Sequence, residues 1–447
     1  MKKILLLMFL YFGISLSAQE NVKSVNVTVY NNNLGVVREI RELDMVKGLS
    51  DIKIIGIAEQ IDPTSVNIKL DGTVLEQNYQ YDLVNLQKIL QKYIDNDVDL
   101  IGEKELVSGT LLSVSNNSVV IKKKDGGLTL LPDLNKFQIS VKSLPEGLIT
   151  RPTLIWKVYA NKQGKQNAEL SYQTGGMNWH AEYVAVLDKD DKTMDLKAWV
   201  SVENNSGATF KDANLKLVSG DVNLVTTMNN MDFDLIMSKT EALSPEPMFQ
   251  EKQFFEYHIY NLQKPSTISN NEIKQISLFE AENINITKKY LFKSNNYGSD
   301  KKVSVLIEFQ NSKENQLGMP FPAGKVRLNK SDGNSLEFIG EDMIEHTTKD
   351  EKIILKTGDA FDLTAEEIVK EHKRITDRVQ EKTFEIKLRN HKTEDVVIEV
   401  ERNLGTNWEI LESNFKYEKK DAMNVTFKIP VKKDKEETLT MKVRYVY

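Results

Sequence analysis

Between Leu170 and Asn223 apolar and polar residues alternate in short runs, and a period of two leaves this chain little to fold into except sheet. The run Glu182-Tyr183-Val184-Ala185-Val186-Leu187 is one example, and Leu196-Lys197-Ala198-Trp199-Val200-Ser201-Val202 is another. Punctuation falls at Gly175-Gly176, at Asp188-Lys189-Asp190-Asp191 and at Asn204-Asn205-Ser206-Gly207. Alternating runs bounded by Gly, Asn and Asp clusters predict antiparallel strands joined by tight turns.

Tyr172, Gly175-Gly176, Trp179 and Tyr183 open this block; a hairpin rich in Asn, Ser, Gly and Thr leads to Leu215, Leu217, Ser219 and Gly220. Further on stand Gly318-Met319-Pro320-Phe321-Pro322-Ala323-Gly324 and Phe338-Ile339-Gly340-Glu341. This arrangement resembles the DUF4139 family, which includes the proteins called mucoidy inhibitor A, and the likeness covers most of the chain. It implies a fold family without a settled activity, and it hints at surface-polysaccharide physiology. One departure matters: those proteins carry a long N-terminal coiled coil, and here only one modest helix is predicted in that region.

The first residues read as a secretory signal peptide, 1–18. Lys2 and Lys3 form the charged start, Ile4 to Gly13 the apolar stretch, and Ser15-Leu16-Ser17-Ala18 supplies small residues for cleavage. The apolar run is short for a bilayer span, although a single N-terminal anchor is the competing reading. The chain has no cysteine, so disulfides, thiolate metal sites and a lipoprotein anchor are excluded. Packing alone must hold it, and 447 residues is enough for two or three domains with real cores. Its net charge of −6 falls to about −8 without the two leading lysines. Acidic and basic residues interleave without a basic face, which argues against a nucleic-acid partner. No later segment predicts a membrane span.

The pattern along the chain predicts a mainly β, multi-domain architecture of antiparallel β-sandwiches with a small SH3-like barrel and one short amphipathic helix. Residues 19–150 form a β-rich region containing the helix, Leu83–Ile94, whose Leu83, Leu86, Leu90, Tyr93 and Ile94 recur on one face. The barrel is expected over 109–141, with hairpin signals at Asn116-Asn117 and Asp125-Gly126-Gly127. Lys122, Lys123 and Lys124 read as the solvated end of a strand. A second sandwich spans 151–375, interrupted by a long exposed loop at 226–253 that contains Pro245 and Pro247. The remainder, 376–447, packs many short strands into few residues, as an Ig-like sandwich does. Thr364, three residues before Glu367, predicts a second helix over Ala365–Arg374.

No nucleotide or prosthetic-group motif occurs, so no cofactor is expected. The five histidines, 180, 258, 346, 372 and 391, show no metal-ligand spacing, and no nucleophile elbow appears. Asp188–Asp191 lacks the Gly and terminal Glu of a calcium loop and reads as a hairpin tip. Glu341, Asp342 and Glu345 form an acidic cluster beside His346, with Arg374, Asp377 and Arg378 as later charges. Flat rings stack on the apolar faces of sugars, which brings forward Trp179, Tyr183, Trp199, Tyr257 and Tyr260. Ala198 and Val200 flank Trp199, so that ring is expected in the core, whereas Trp179 follows a Gly-Gly-Met-Asn turn and is expected at the surface. The binding residues expected are therefore Trp179, Tyr183 and His180.

These readings converge on an exported, non-catalytic binding or scaffold protein of the bacterial cell envelope, periplasmic, cell-surface or secreted. An envelope protein or a surface polysaccharide is the expected partner. The alternative is an envelope hydrolase acting on a glycan or peptide through a site dispersed over loops. N-terminal sequencing of the exported protein should give a first residue at or near Ala18 or Gln19; a chain still beginning at Met1 would contradict the signal-peptide reading.

Overall fold

The structure is a computed structural model, and it describes residues 16–17, 22–103, 105–220, 249–254, 257–294, 302–333 and 335–447. Strand accounts for 67% of it and helix for 4%, so the chain is mainly β with several antiparallel sheets. The signal-peptide segment, apart from Leu16 and Ser17, lies outside the described residues. So does the expected loop as far as residue 248; Phe249–Gln253, its last part, is strand, with Phe249 buried.

In chain order the elements begin with β1 (Leu16–Ser17), β2 (Val22–Tyr30), β3 (Gly35–Met45), β4 (Gly48–Ile55), β5 (Asn67–Lys69), β6 (Thr73–Gln80) and α1 (Leu86–Lys92). Next come β7 (Asp97–Ile101), β8 (Leu106–Ser115), β9 (Ser118–Lys122), β10 (Leu128–Leu131), β11 (Gln138–Ser140), β12 (Thr153–Ala160) and β13 (Gly164–Thr174). The central strands are β14 (Met177–Leu187), β15 (Thr193–Asn204), β16 (Phe210–Ser219), β17 (Phe249–Phe254), β18 (Tyr257–Leu262), β19 (Ser266–Ile268), β20 (Glu272–Ser294) and β21 (Lys302–Gln310). The chain closes with β22 (Gly324–Ser331), β23 (Leu336–Ile344), β24 (Lys352–Thr376), β25 (Val379–Asn390) and β26 (Val396–Asn403). After these come β27 (Trp408–Ser413), β28 (Tyr417–Lys419), β29 (Asn424–Val431) and β30 (Lys435–Val446).

Two compact units result. The first is Met1–Asn178 with Glu203–Leu217 and Lys264–Ile273; the second is Trp179–Val202, Val218–Gln263 and Lys274–Tyr447. In the first unit β12 pairs antiparallel with β4 on one side and β6 on the other. β13 pairs with β3 from Gly164–Met45 to Thr174–Gly35. Residues 153–174 thus complete sheets begun at 22–80, which corrects the expected boundary at 150/151: among the described residues β5 and β6 find a strand partner only when β13 and β12 return. The inward face of β3 carries Glu39 and Arg41 among Val37, Leu43 and Met45. Their charges sit 2.6 Å apart, both buried, and Arg41 also donates to the Ile55 carbonyl at 3.0 Å.

Within this unit β7–β11 form a five-stranded antiparallel sheet ordered β10-β9-β8-β7-β11. It wraps, with α1, around Leu90, Tyr93, Val98, Leu100, Leu111 and Ile121. The helix is shorter than predicted. Leu83 instead bridges Ile149, Asn85 caps the first turn by accepting from Lys88 N at 2.9 Å, and Asp95 follows at φ 67°. Of the five residues expected on one buried face only Leu90 and Tyr93 are buried; Leu86 is 57% exposed.

In the second unit the path runs β23-β22-β14-β15-β20-β21-β24-β25-β30-β27, with β26, β29 and β28 extending from β20. At Tyr290, β20 pairs with Val305 of β21 on one edge and Ile398 of β26 on the other. One sheet is therefore folded over onto itself, and its two layers share a core of Phe292, Leu363, Ile386, Ile398, Phe427 and Met441 among others. The expected boundary at 375/376 falls at the tip of the β24–β25 hairpin, so the C-terminal sandwich begins much earlier, at β20. The predicted helix over Ala365–Arg374 is strand as well, paired with β25 from Ala365–Leu388 to Arg374–Gln380. The segment AEEIVKEHKR offers no wide apolar stripe to bury as a helix, and the partner strand decides its conformation. Pairing of β24 with β21 ends at Thr364, so beyond it β25 is its sole partner among the described residues.

Arg41→Ala should destabilise the fold by about 3–5 kcal/mol, because it strands a buried carboxylate at Glu39. Urea unfolding followed by circular dichroism checks this; a loss below about 1 kcal/mol would mean that water reaches the pair.

Candidate functional site

Strand β14 alternates cleanly. Trp179, Ala181, Tyr183, Ala185 and Leu187 face inward, and His180, Glu182, Val184 and Val186 face outward. On the inner side Trp179 donates from Nε1 to the Val218 carbonyl at 2.9 Å and meets Tyr260 edge-on at 6.0 Å. The Tyr183 hydroxyl donates to the Pro322 carbonyl at 2.7 Å, and its ring stacks on Phe321 at 5.7 Å. Burial pushes the Tyr183 phenol well above its ordinary pKa, so it remains a donor. Tyr260 reaches Pro320, Asn311 reaches Met319, and together these bonds fix the 318–324 segment. Gly324 has no alternative there, since a Cβ would lie 2.2 Å from the Ala181 carbonyl oxygen.

The expected surface roles of Trp179 and Tyr183 are therefore corrected. Both are buried, at 1% and 0% exposure, and their polar atoms are spent on the fold. The Gly-Gly turn precedes a strand whose first aromatic points inward, so turn proximity did not bring exposure. His180 is at the surface, where its Nε2 lies 3.9 Å from Glu182 Oε1.

The outer face of β22, β14, β15 and β20 gathers the groups that could touch a ligand. Glu182 Oε2 accepts from Ser201 Oγ at 3.0 Å and from Gln275 Nε2 at 2.7 Å. Its Oε1 lies 3.5 Å from Arg327 Nη1. Burial would raise the Glu182 pKa, but the Ser201 bond, the Arg327 and His180 charges and the Gln275 bond outweigh it and hold the carboxyl below its ordinary value. The β14–β15 hairpin is closed by Asp188 N to Thr193 O and Asn205 N to Gly176 O. Both bonds belong to one register, in which Trp199 faces Glu182.

Trp199 is 37% exposed, opposite to the core position expected for it. Its parity carries the signal: it shares a face with Asp195, Lys197 and Ser201, while Ala198, Val200 and Val202 fill the core. The indoles of Trp156, Trp179 and Trp408 all donate within the protein, to Gln77, Val218 and Ala422. Trp199 makes no such bond among the described residues.

The other expected clusters serve the fold. Asp188 accepts from the Lys192 and Thr193 amides, and Asp191 is bridged by Lys288 and Lys330, so the acidic hairpin tip is cross-linked by lysines. Glu341 pairs with Lys325 at 3.3 Å, Asp342 accepts from Lys356 N at 2.7 Å, and Arg374 pairs with Asp377 at the β24–β25 tip. His346 was missed as a partner of Ser219. The Ser219 Oγ lies 2.9 Å from His346 Nδ1, which also accepts the Ala323 amide at 2.9 Å. That nitrogen therefore carries no proton, and Ser219 is the donor.

No helix among the described residues is long and apolar enough to cross a membrane. No family model matches the chain, and no curated protein matches its sequence.

Two predictions separate the inner and outer faces. Trp179→Ala should cost about 3–5 kcal/mol, the usual loss for a buried tryptophan, while Trp199→Ala should leave the thermal midpoint nearly unchanged. Differential scanning calorimetry of both variants checks it; equal losses would refute the assignment of faces. Glu182 has a lowered folded pKa, so its network stabilises above the ordinary carboxyl value, about 4.3, and that contribution fades as pH falls through the lowered value. The stability advantage of the wild type over Glu182→Gln should accordingly shrink on acidification in chemical unfolding titrations.

Proposed function

We propose that this chain is an exported, non-catalytic binding protein of the bacterial cell envelope, and that the outer face around Trp199 is its contact surface. The observation carrying the reading is an exposed tryptophan with a free indole N–H, set on a strand beside a carboxylate whose position Ser201 and Gln275 already fix. Such a group is held ready for recognition by a scaffold that leaves more than a third of it open to solvent. Lys2, Lys3, the apolar run Ile4 to Gly13 and the absence of cysteine support export to the periplasm, the cell surface or the medium. Membership of the DUF4139 family is part of the proposal. It is supported by the way Trp179, Tyr183, Ser219 and the 318–324 segment, all residues of the resemblance, meet in one hydrogen-bonded frame.

A hydrolase reading has one observation in its favour, the Ser219–His346 pair. Against it, Ser219 is 4% exposed and His346 Nδ1 is shared with a backbone amide. The carboxyl groups of Glu182, Asp191, Glu308 and Asp359 are all shifted downward, toward acceptors and not toward proton donors.

Purified protein should co-sediment with isolated cell envelopes, and Trp199→Ala should weaken that association by about tenfold without changing the fold. Retention of full binding by Trp199→Ala would remove the face from the proposal. Labelling of Ser219 by a fluorophosphonate probe would revive the hydrolase.

A further inference from the structure

The geometry points to a neutral saccharide as the ligand of this face, an inference that rests on the binding reading above and names its chemistry. A pyranose presents an apolar C–H face edged by hydroxyls, each both donor and acceptor. Trp199 supplies an exposed ring for the C–H face and an unpaired N–H for a ring-edge oxygen.

The complement to the hydroxyls is already in place. Glu182 Oε2 is occupied by Ser201 and Gln275, whereas Oε1 has only the longer contacts to Arg327 at 3.5 Å and His180 at 3.9 Å. That oxygen can still accept from a hydroxyl. Arg327, half-exposed beside it, can donate to the same sugar, and the Gln275 amide oxygen has no hydrogen-bond partner among the described residues.

Charge favours a neutral ligand. Glu182 is held ionised and is offset by Arg327, while Lys197 and Lys325 are paired with Glu280 and Glu341. No surplus of positive charge remains on this face to draw an acidic sugar. A flat peptide partner would want an apolar centre excluding water, and here the tryptophan is ringed by groups that keep hydrogen-bonding capacity.

Native gels cast with soluble β-1,3-glucan, α-mannan or β-galactan, and with alginate as an anionic arm, test this on the full mature protein. At least one neutral polysaccharide should retard the wild type. Trp199→Ala should abolish the retardation, Glu182→Gln should weaken it about tenfold, and Trp199→Phe, which keeps a ring, should retain part of it. Phe361→Ala, at a 96% exposed ring elsewhere in the same unit, should behave as wild type. An unchanged melting temperature for the Trp199 and Phe361 variants, and a cooperative transition well above the gel temperature for Glu182→Gln, establish that the variants fold. Retardation by alginate alone overturns the neutral-ligand assignment. Absence of retardation in every gel, with envelope co-sedimentation still lost in Trp199→Ala, overturns the saccharide and leaves the binding face standing. If Trp199→Ala changes neither assay, both readings fall.

Discussion

With no cysteine to staple it, the chain depends on ladders, and the strand on which most of them hang in the second unit is β20. It runs unbroken for 23 residues from Glu272 to Ser294. Near its start Gln275 props Glu182; near its end Tyr290 is bonded to β21 and β26 together. A strand hydrogen-bonded along both edges cannot shift register without breaking two ladders at once, and a one-residue slip would turn Phe292 out of the core. The same rigidity serves the outer face of the sheet and the folded-over sandwich.

Buried charge adds a second constraint. Arg402, fully buried, pairs with Glu367 at 2.7 Å and lies 4.3 Å over the Phe384 ring. Glu39 and Arg41 do the same in the first unit. Burial pulls the Arg402 pKa down, opposed by Glu367. Such pairs contribute little net stability against apolar replacements, but an unpaired member is costly, so they penalise wrong strand pairings more than they reward the right one.

The sheet content, most strand positions and the hairpin turns were legible because alternation and Gly, Asn and Asp punctuation are local signals. Inward Glu39 and Arg41 were not legible, since the pattern of β3 does not say which parity holds a charge pair. The two tryptophans are more instructive. Parity alone would have placed both: Trp179 keeps company with Ala181 and Tyr183, Trp199 with Lys197 and Asp195. Weighing a turn and flanking apolar neighbours above parity reversed the assignment. The domain limits failed for another reason, because β12, β13, β20 and β24 pair with distant segments, and pairing partners leave no mark in a single sequence.

The far half of β24 has a further consequence. Beyond Thr364 one of its edges has no strand beside it among the described residues, leaving backbone amides and carbonyls that a second chain could match. Ile368, Val369 and Ile375 on this ribbon are exposed and would stick to one. Between them stand Glu371, Lys373 and Arg374, with Lys370 tied back to Glu385 and His372 bonded to Gln380. The charge density of this segment is thus what a bare strand edge requires: it makes self-recruitment into an extended sheet electrostatically and sterically unrewarding.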